Sequence, residues 1–162
     1  MIRISAGKRE VWPGFSLIIP QALEFHPGSQ YFLKGDNGSG KSSFIHRILL
    51  PLLQQRDDLY IICLQQQMYL QIHALSALAA VFKPDFFVRN EDDVWRYLWD
   101  DLAAQKDSLP VFVIADEAHR LNIPEAMDRP LCLIFSSHRY QREAAHKLEF
   151  VAQNPYESRI DV

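Results

Sequence analysis

The chain has 162 residues, 48% of them hydrophobic and 23% charged, which suits one soluble compact domain whose core needs neither disulfides nor a structural metal. Its net charge of −3 supplies no global basic field for nucleic acid, and a local basic patch is the only form such binding could take. The opening MIRISAGKREVW holds no apolar stretch of signal-peptide length, and no window approaches the roughly 20 apolar residues of a membrane-spanning helix. We therefore expect a single domain over residues 1–162, cytoplasmic and without direct membrane insertion.

In chain order, residues 2–5 and 15–19 are β-rich, and Pro13-Gly14 and Pro27-Gly28 mark turns. Residues 30–34 read as a strand that runs into a glycine-rich turn and then an apolar-periodic helix from Lys41, which Pro51 should end or kink. Residues 59–64 form a continuous apolar run suited to a buried parallel strand. Residues 71–82, rich in Ala and Leu, and residues 91–106, with acids in the first turn, read as helices. Residues 111–115 and 131–136 read as two further buried strands, and 143–151 as a last helix. Cys63 and Cys132 lie within apolar runs (YIICL and LCLIF) and are expected as buried thiols, with no zinc-type spacing. Strands alternating with helices predict an α/β fold with a mostly parallel sheet flanked by helices, plus a small N-terminal antiparallel β piece.

Residues 35–42 read Gly-Asp-Asn-Gly-Ser-Gly-Lys-Ser, a full match to the phosphate-binding P-loop of nucleoside triphosphatases. Glycines let the backbone approach phosphate closely, and the loop amides with the following helix N-terminus form an anion cradle. Lys41 is placed to reach the β- and γ-oxygens, and Ser42 to offer its hydroxyl to Mg²⁺. Gly35, Asp36, Asn37, Gly38, Ser39, Gly40, Lys41, Ser42 and Ser43 are the nucleotide-contacting candidates. The strand VFVIA then leads into Asp116-Glu117. An acid ending a strand next to a P-loop holds Mg²⁺, usually through water, which suits Asp116. Glu117 is placed to orient and deprotonate the attacking water. The alternative for this pair is a surface Asp-Glu at a helix start.

PGSQYFLKGDNGSGKSS, VFVIADEA and LCLIFSSHR, in that order, resemble the ATP-binding cassette (ABC) ATPases over most of the chain. The resemblance implies ATP and Mg²⁺ as ligands, Glu117 as the catalytic glutamate, and His138 as the switch histidine near the γ-phosphate. It implies that Trp12 stacks on adenine, a packed tryptophan being the alternative. A glutamine on the metal side is also implied; Gln65, Gln66 and Gln67 all qualify, and Gln66 fits the pattern best. Two departures stand out. The family's Leu-Ser-Gly-Gly-Gln signature is missing, and the corresponding EDDVWRYLWDDLAAQKDSLP contains no glycine. The chain is also short, with little room between Pro51 and Leu59 for the usual hairpin. These departures imply slow hydrolysis alone and a second protein subunit, either a membrane transport subunit or a signature-bearing ATPase. Residues 68–89, with Tyr69, Phe82, Phe86 and Phe87, offer apolar contacts for one. Trp95 and Trp99, around Tyr97, share a helix face that suits core or interface.

Asp116-Glu-Ala-His119 also resembles the same motif in AAA-type ATPases and DEAH helicases. In that case Ser136 or Ser137 is the polar sensor on the next strand, His119 couples hydrolysis to motion, and the target is protein or nucleic acid. A nucleotide-holding switch is the third alternative.

Overall fold

The computed structural model describes residues 1–64, 68–105, 107–117, 128–137 and 146–162. Its centre is set by two strands with no polar face. β7 (Val111–Ala115) is buried at every position, and β8 (Leu131–Ser136) at all but the first. A strand of this kind must be covered on both sides, which favours a parallel sheet between helical layers.

The main sheet has eight strands in the order β2-β3-β10-β9-β5-β8-β7-β6. Its parallel part comprises β6 (Tyr60–Leu64), β7, β8, β5 (Gln30–Gly35) and β9 (His146–Asn154). β10 (Glu157–Asp161) returns antiparallel to β9 and pairs with β3 (Phe15–Ile19), which in turn pairs antiparallel with β2 (Gly7–Trp12). A separate antiparallel pair, β1 (Ile2–Ile4) with β4 (Leu23–Phe25), completes the small N-terminal β piece. The α/β fold with a mostly parallel sheet is as expected.

The first helical stretch runs over residues 41–53. It begins as α1 (Lys41–Phe44), widens into a π turn (Ile45–Leu49) and continues as α2 (Leu50–Leu53). Pro51 does not end it. Proline cannot donate to the preceding turn, and its ring crowds the carbonyl four residues back; the π turn ahead of it is where the ladder changes spacing. α3 (Met68–Phe82) and α4 (Glu91–Ala103) follow. Asn90 caps α4 by accepting from the Asp93 amide (3.0 Å), and three acids fill its first turn, as the dipole favours.

One face of the sheet packs Leu17, Leu33, Leu148, Phe150 and Ile160 against Phe44, Ile45 and Leu49 of the first helix and against the β1–β4 pair. The other packs Val113, Leu133 and Phe135 against α3 and α4, with Trp95 fully buried and stacked on Trp99 at 5.5 Å. Arg129, beneath the loop before β7, donates to the carbonyls of Leu102, Gln105 and Asp107. α3 leaves Tyr69, Leu70, Val81 and Phe82 exposed, Phe82 by 73%. No described helix is long and apolar enough to cross a membrane.

One expected element is corrected. Residues 146–151, read as part of a last helix, form the start of β9. Leu148 and Phe150 are buried while Lys147 and Glu149 are not, a period of two rather than 3.6. The parallel edge of β5 offers the segment a full hydrogen-bond ladder, which outweighs the helix propensity of its Ala, Lys and Glu.

Phe44 joins the P-loop helix to both ends of the chain, meeting Phe150 edge-on at 5.6 Å and Phe25 at 6.3 Å. Phe44→Ala should lower unfolding free energy by about 3–5 kcal/mol, read from the urea midpoint. Burial raises the thiol pKa of Cys63 to about 11 and of Cys132 to about 12. Both thiols should therefore resist alkylation in the native protein at neutral pH and react once it is unfolded in urea.

Candidate functional site

The loop after β5 is shaped by what lies under it. Gly35 has φ 155°, and a Cβ there would stand 2.6 Å from Ser39 Oγ and 2.7 Å from the Phe150 carbonyl oxygen. Gly40, the left-handed residue before α1 (φ 96°), would bring a Cβ within 2.7 Å of Leu17 Cδ2. At Gly35 the neighbouring backbone leaves no room for a side chain; at Gly40 one would displace Leu17 and strain the left-handed backbone. Asp36, Asn37 and Gly38 are exposed along the loop's outer edge, and Ser39 is buried, its amide donating to the Asp36 carbonyl at 3.1 Å.

Lys41 opens α1 and folds back over the loop. Its ammonium donates to the carbonyls of Gly35 (2.7 Å) and Asp36 (2.9 Å), and the residue is only 7% exposed. Burial lowers its pKa; the negative charges of Glu117, Asp116 and Asp36 act in the opposite direction. A cation is thus held inside the loop where phosphate oxygens would arrive.

Asp116 follows the last residue of β7 and is 6% exposed. Its amide donates to the Leu64 carbonyl (3.0 Å), and its Oδ1 accepts from the Ser136 hydroxyl (2.9 Å). The same hydroxyl accepts from the Glu117 amide at 2.8 Å. Glu117 takes a left-handed backbone (φ 53°), a conformation that non-glycine residues adopt at a cost and that recurs at functional sites. Asp116 Oδ2 faces His46 Nε2 of the P-loop helix at 3.8 Å.

Trp12 ends β2, is 45% exposed, donates its indole N–H to Ser43 Oγ (2.9 Å) and carries the Arg47 guanidinium over its ring at 3.8 Å. One cleft of about 360 Å³ brings together Trp12, Phe15, Lys41, Ser42, Ser43 and Glu117. A larger cavity of about 830 Å³ lies along the other side of the loop, toward β9 and β10. The sequence candidates Trp12, Gly35 to Ser43, Asp116 and Glu117 therefore meet at one end of the sheet. Gln66 and His138, with Gln65, Gln67 and His119, lie outside the described residues.

A family model described as an AAA domain matches residues 27–155. The chain belongs to the AAA domain family. No curated protein matches the sequence. The matched span of this AAA domain contains the P-loop, Asp116-Glu117 and Ser136 and makes the protein a P-loop ATPase domain of the AAA-like kind. Trp12 and Phe15 lie before the matched span.

The donor set fits a hard divalent cation with a triphosphate. Ser42 and Asp116 offer oxygens, the class of ligand Mg²⁺ takes, and the loop with Lys41 offers the amides and the cation that phosphate needs. Two residues were underweighted in the sequence. Ser136 appeared only under the AAA-type resemblance, although it contacts both acids. His46 was not singled out, although it sits four residues after Ser42, on the same side of a helix.

Ser136→Ala would remove the hydroxyl that bonds a buried carboxylate and a backbone amide, so stability should fall by about 1–3 kcal/mol in urea titration, while Ser136→Thr, which keeps the hydroxyl, should fall less. The lowered Lys41 pKa fixes a sign as well. The unfolded chain binds the proton more tightly than the folded one, so the stability difference between wild type and Lys41→Met should shift in favour of wild type as pH rises from the lowered value toward the ordinary 10.5 and level off above it. Paired denaturant midpoints across that range read it.

Proposed function

We propose that this AAA domain binds Mg-ATP at residues 35–43 and hydrolyses it by in-line attack of water on the γ-phosphate. The observation that carries the reading is the Ser136 hydroxyl, which joins the Asp116 carboxylate to the Glu117 amide beside the Lys41 loop. A structural pair of acids at a helix start would not require a buried hydroxyl between them.

The loop amides and Lys41 bind and offset the phosphate charge, and positioning supplies most of the rate. Ser42 and Asp116 hold the cation, with Gln66 as the further ligand suggested by sequence; Mg²⁺ supplies charge neutralisation on the β- and γ-oxygens when bound. Glu117 orients the water and accepts its proton. Trp12 provides an adenine platform at the cleft, and His138 contacts the γ-phosphate. Turnover is slow in the isolated chain and rises with a second protein subunit. The exposed Tyr69, Phe82 and Phe87 support an apolar contact for that partner.

A second, finer reading is a trimmed ABC-type subunit of a larger, transporter-like assembly. Trp12 favours it, because this aromatic from an N-terminal strand lines the same cleft as Lys41 and Ser42. ATP-driven dimerisation, followed by light scattering, would support the ABC-type reading; stimulation by nucleic acid or a protein substrate without dimerisation would support the AAA-type one.

The deciding experiment is steady-state ATP turnover of wild type beside Glu117→Gln. The variant should keep nucleotide affinity and lose about 10²-fold or more in turnover, the share of a general base. Equal turnover in the two proteins would remove Glu117 from the reaction and the proposed mechanism with it.

A further inference from the structure

His46 is placed where a cation bound beside ATP would meet it. It lies four residues after Ser42, and its first helical turn becomes a π turn from Ile45 onward. Such bulges recur at functional positions because they re-aim a side chain without ending the helix. His46 Nε2 stands 3.8 Å from Asp116 Oδ2, beyond hydrogen-bond range. Two donors about 2.1 Å from one ion lie about 3–4 Å apart, depending on the angle between them. Asp116 Oδ1 is already engaged by Ser136, so the oxygen facing the imidazole is the one open to a metal. The His46 side chain is 34% exposed and that of Asp116 is 7% exposed.

Resting on the ATP-binding reading above, we propose that His46 supplies an imidazole nitrogen to the divalent-cation site and so raises the affinity of the nucleotide-loaded protein for Mn²⁺ relative to Mg²⁺. Ser42 and Asp116 alone are hard oxygen donors that suit Mg²⁺. An imidazole changes that ranking, because Mg²⁺ favours oxygen and water while transition-metal ions accept nitrogen. Among the described residues no three His, Cys, Asp or Glu side chains converge on a metal-sized site. Beside His46, Asp116, Ser42 and Gln66, phosphate oxygens and water complete the shell, and tight metal binding depends on nucleotide.

The test uses the full chain with Mn²⁺ and a non-hydrolysable ATP analogue. Free Mn²⁺ is followed by electron paramagnetic resonance, Mg²⁺ affinity by competition, and the bound ion by electron spin-echo envelope modulation. Wild type should show ¹⁴N modulation from a coordinated imidazole. His46→Gln should abolish that signal and weaken Mn²⁺ binding about tenfold or more, with Mg²⁺ affinity little changed. Wild-type spectra alone keep the proposal falsifiable if the variant folds poorly: nucleotide-dependent Mn²⁺ binding without nitrogen modulation overturns the role of His46 and leaves ATP binding intact. A nitrogen signal that survives His46→Gln overturns it too. Absence of any nucleotide-dependent Mn²⁺ binding in wild type would overturn the ATP reading and this one together.

Discussion

The Ser136 hydroxyl takes one hydrogen bond from the Glu117 amide and gives one to the Asp116 carboxylate, in a place no solvent reaches. The β7 acid pair is tied together by that group, and the group is set by strand register. β8 lies between β5 and β7, with Ser136 opposite Leu33 on one side and Phe135 opposite Ala115 on the other. Ser136 is therefore level with Asp116 and two residues short of Gly35. A slip of one residue in either ladder would turn the hydroxyl to the opposite face. Packing on the two faces holds the register, because a slip would exchange the residues packed against the first helix (Phe112, Ile114) with those packed against α3 and α4 (Val111, Val113).

The P-loop is held in a comparable way by strands from the two ends of the chain. β9 brings the Phe150 carbonyl and side chain under Gly35, while β3 brings Leu17 and Phe15 under Gly40. These are contacts of backbone against neighbour at distances no side chain would tolerate. The loop's shape is thus a packing result as well as a local preference of glycine. β10 ties the two supports together by pairing with both β9 and β3. The N-terminal and C-terminal strands form one continuous bracket for the phosphate-binding loop.

The sequence made the P-loop and the β7 acid pair legible because their chemistry is local: residue types at fixed spacing, after apolar runs. The mostly parallel sheet was legible for a related reason, since buried strands such as 111–115 need no long-range information. What depended on distant partners was hidden. Residues 146–151 carry enough Ala, Lys and Glu to read as helix, and only the free edge of β5 makes them a strand. Pro51 marks an end or a kink of the helix in sequence, and the π turn ahead of it leaves no composition signal. His46 has no motif of its own; its place is defined by a carboxylate on a strand far along the chain. Trp12 is implied only by the ABC-type resemblance, and what the structure adds is its bond to Ser43 and the Arg47 guanidinium over one face of its ring.

The charge balance of the site bears on the form in which nucleotide arrives. Lys41 lies in the field of three carboxylates, those of Glu117, Asp116 and Asp36, and its burial keeps bulk water from screening them fully. A bare triphosphate would bring more negative charge to a place already rich in it. A divalent cation carried with the nucleotide reverses that, because it draws on the same carboxylates that would repel the phosphates. Lys41 meanwhile spends its hydrogen bonds on the carbonyls of Gly35 and Asp36, neutral acceptors that phosphate oxygens can displace at little cost. The loop is thereby stable without ligand yet open to exchange. On the proposed ATP-binding reading, these acidic surroundings favour entry of the cation–nucleotide complex over free nucleotide.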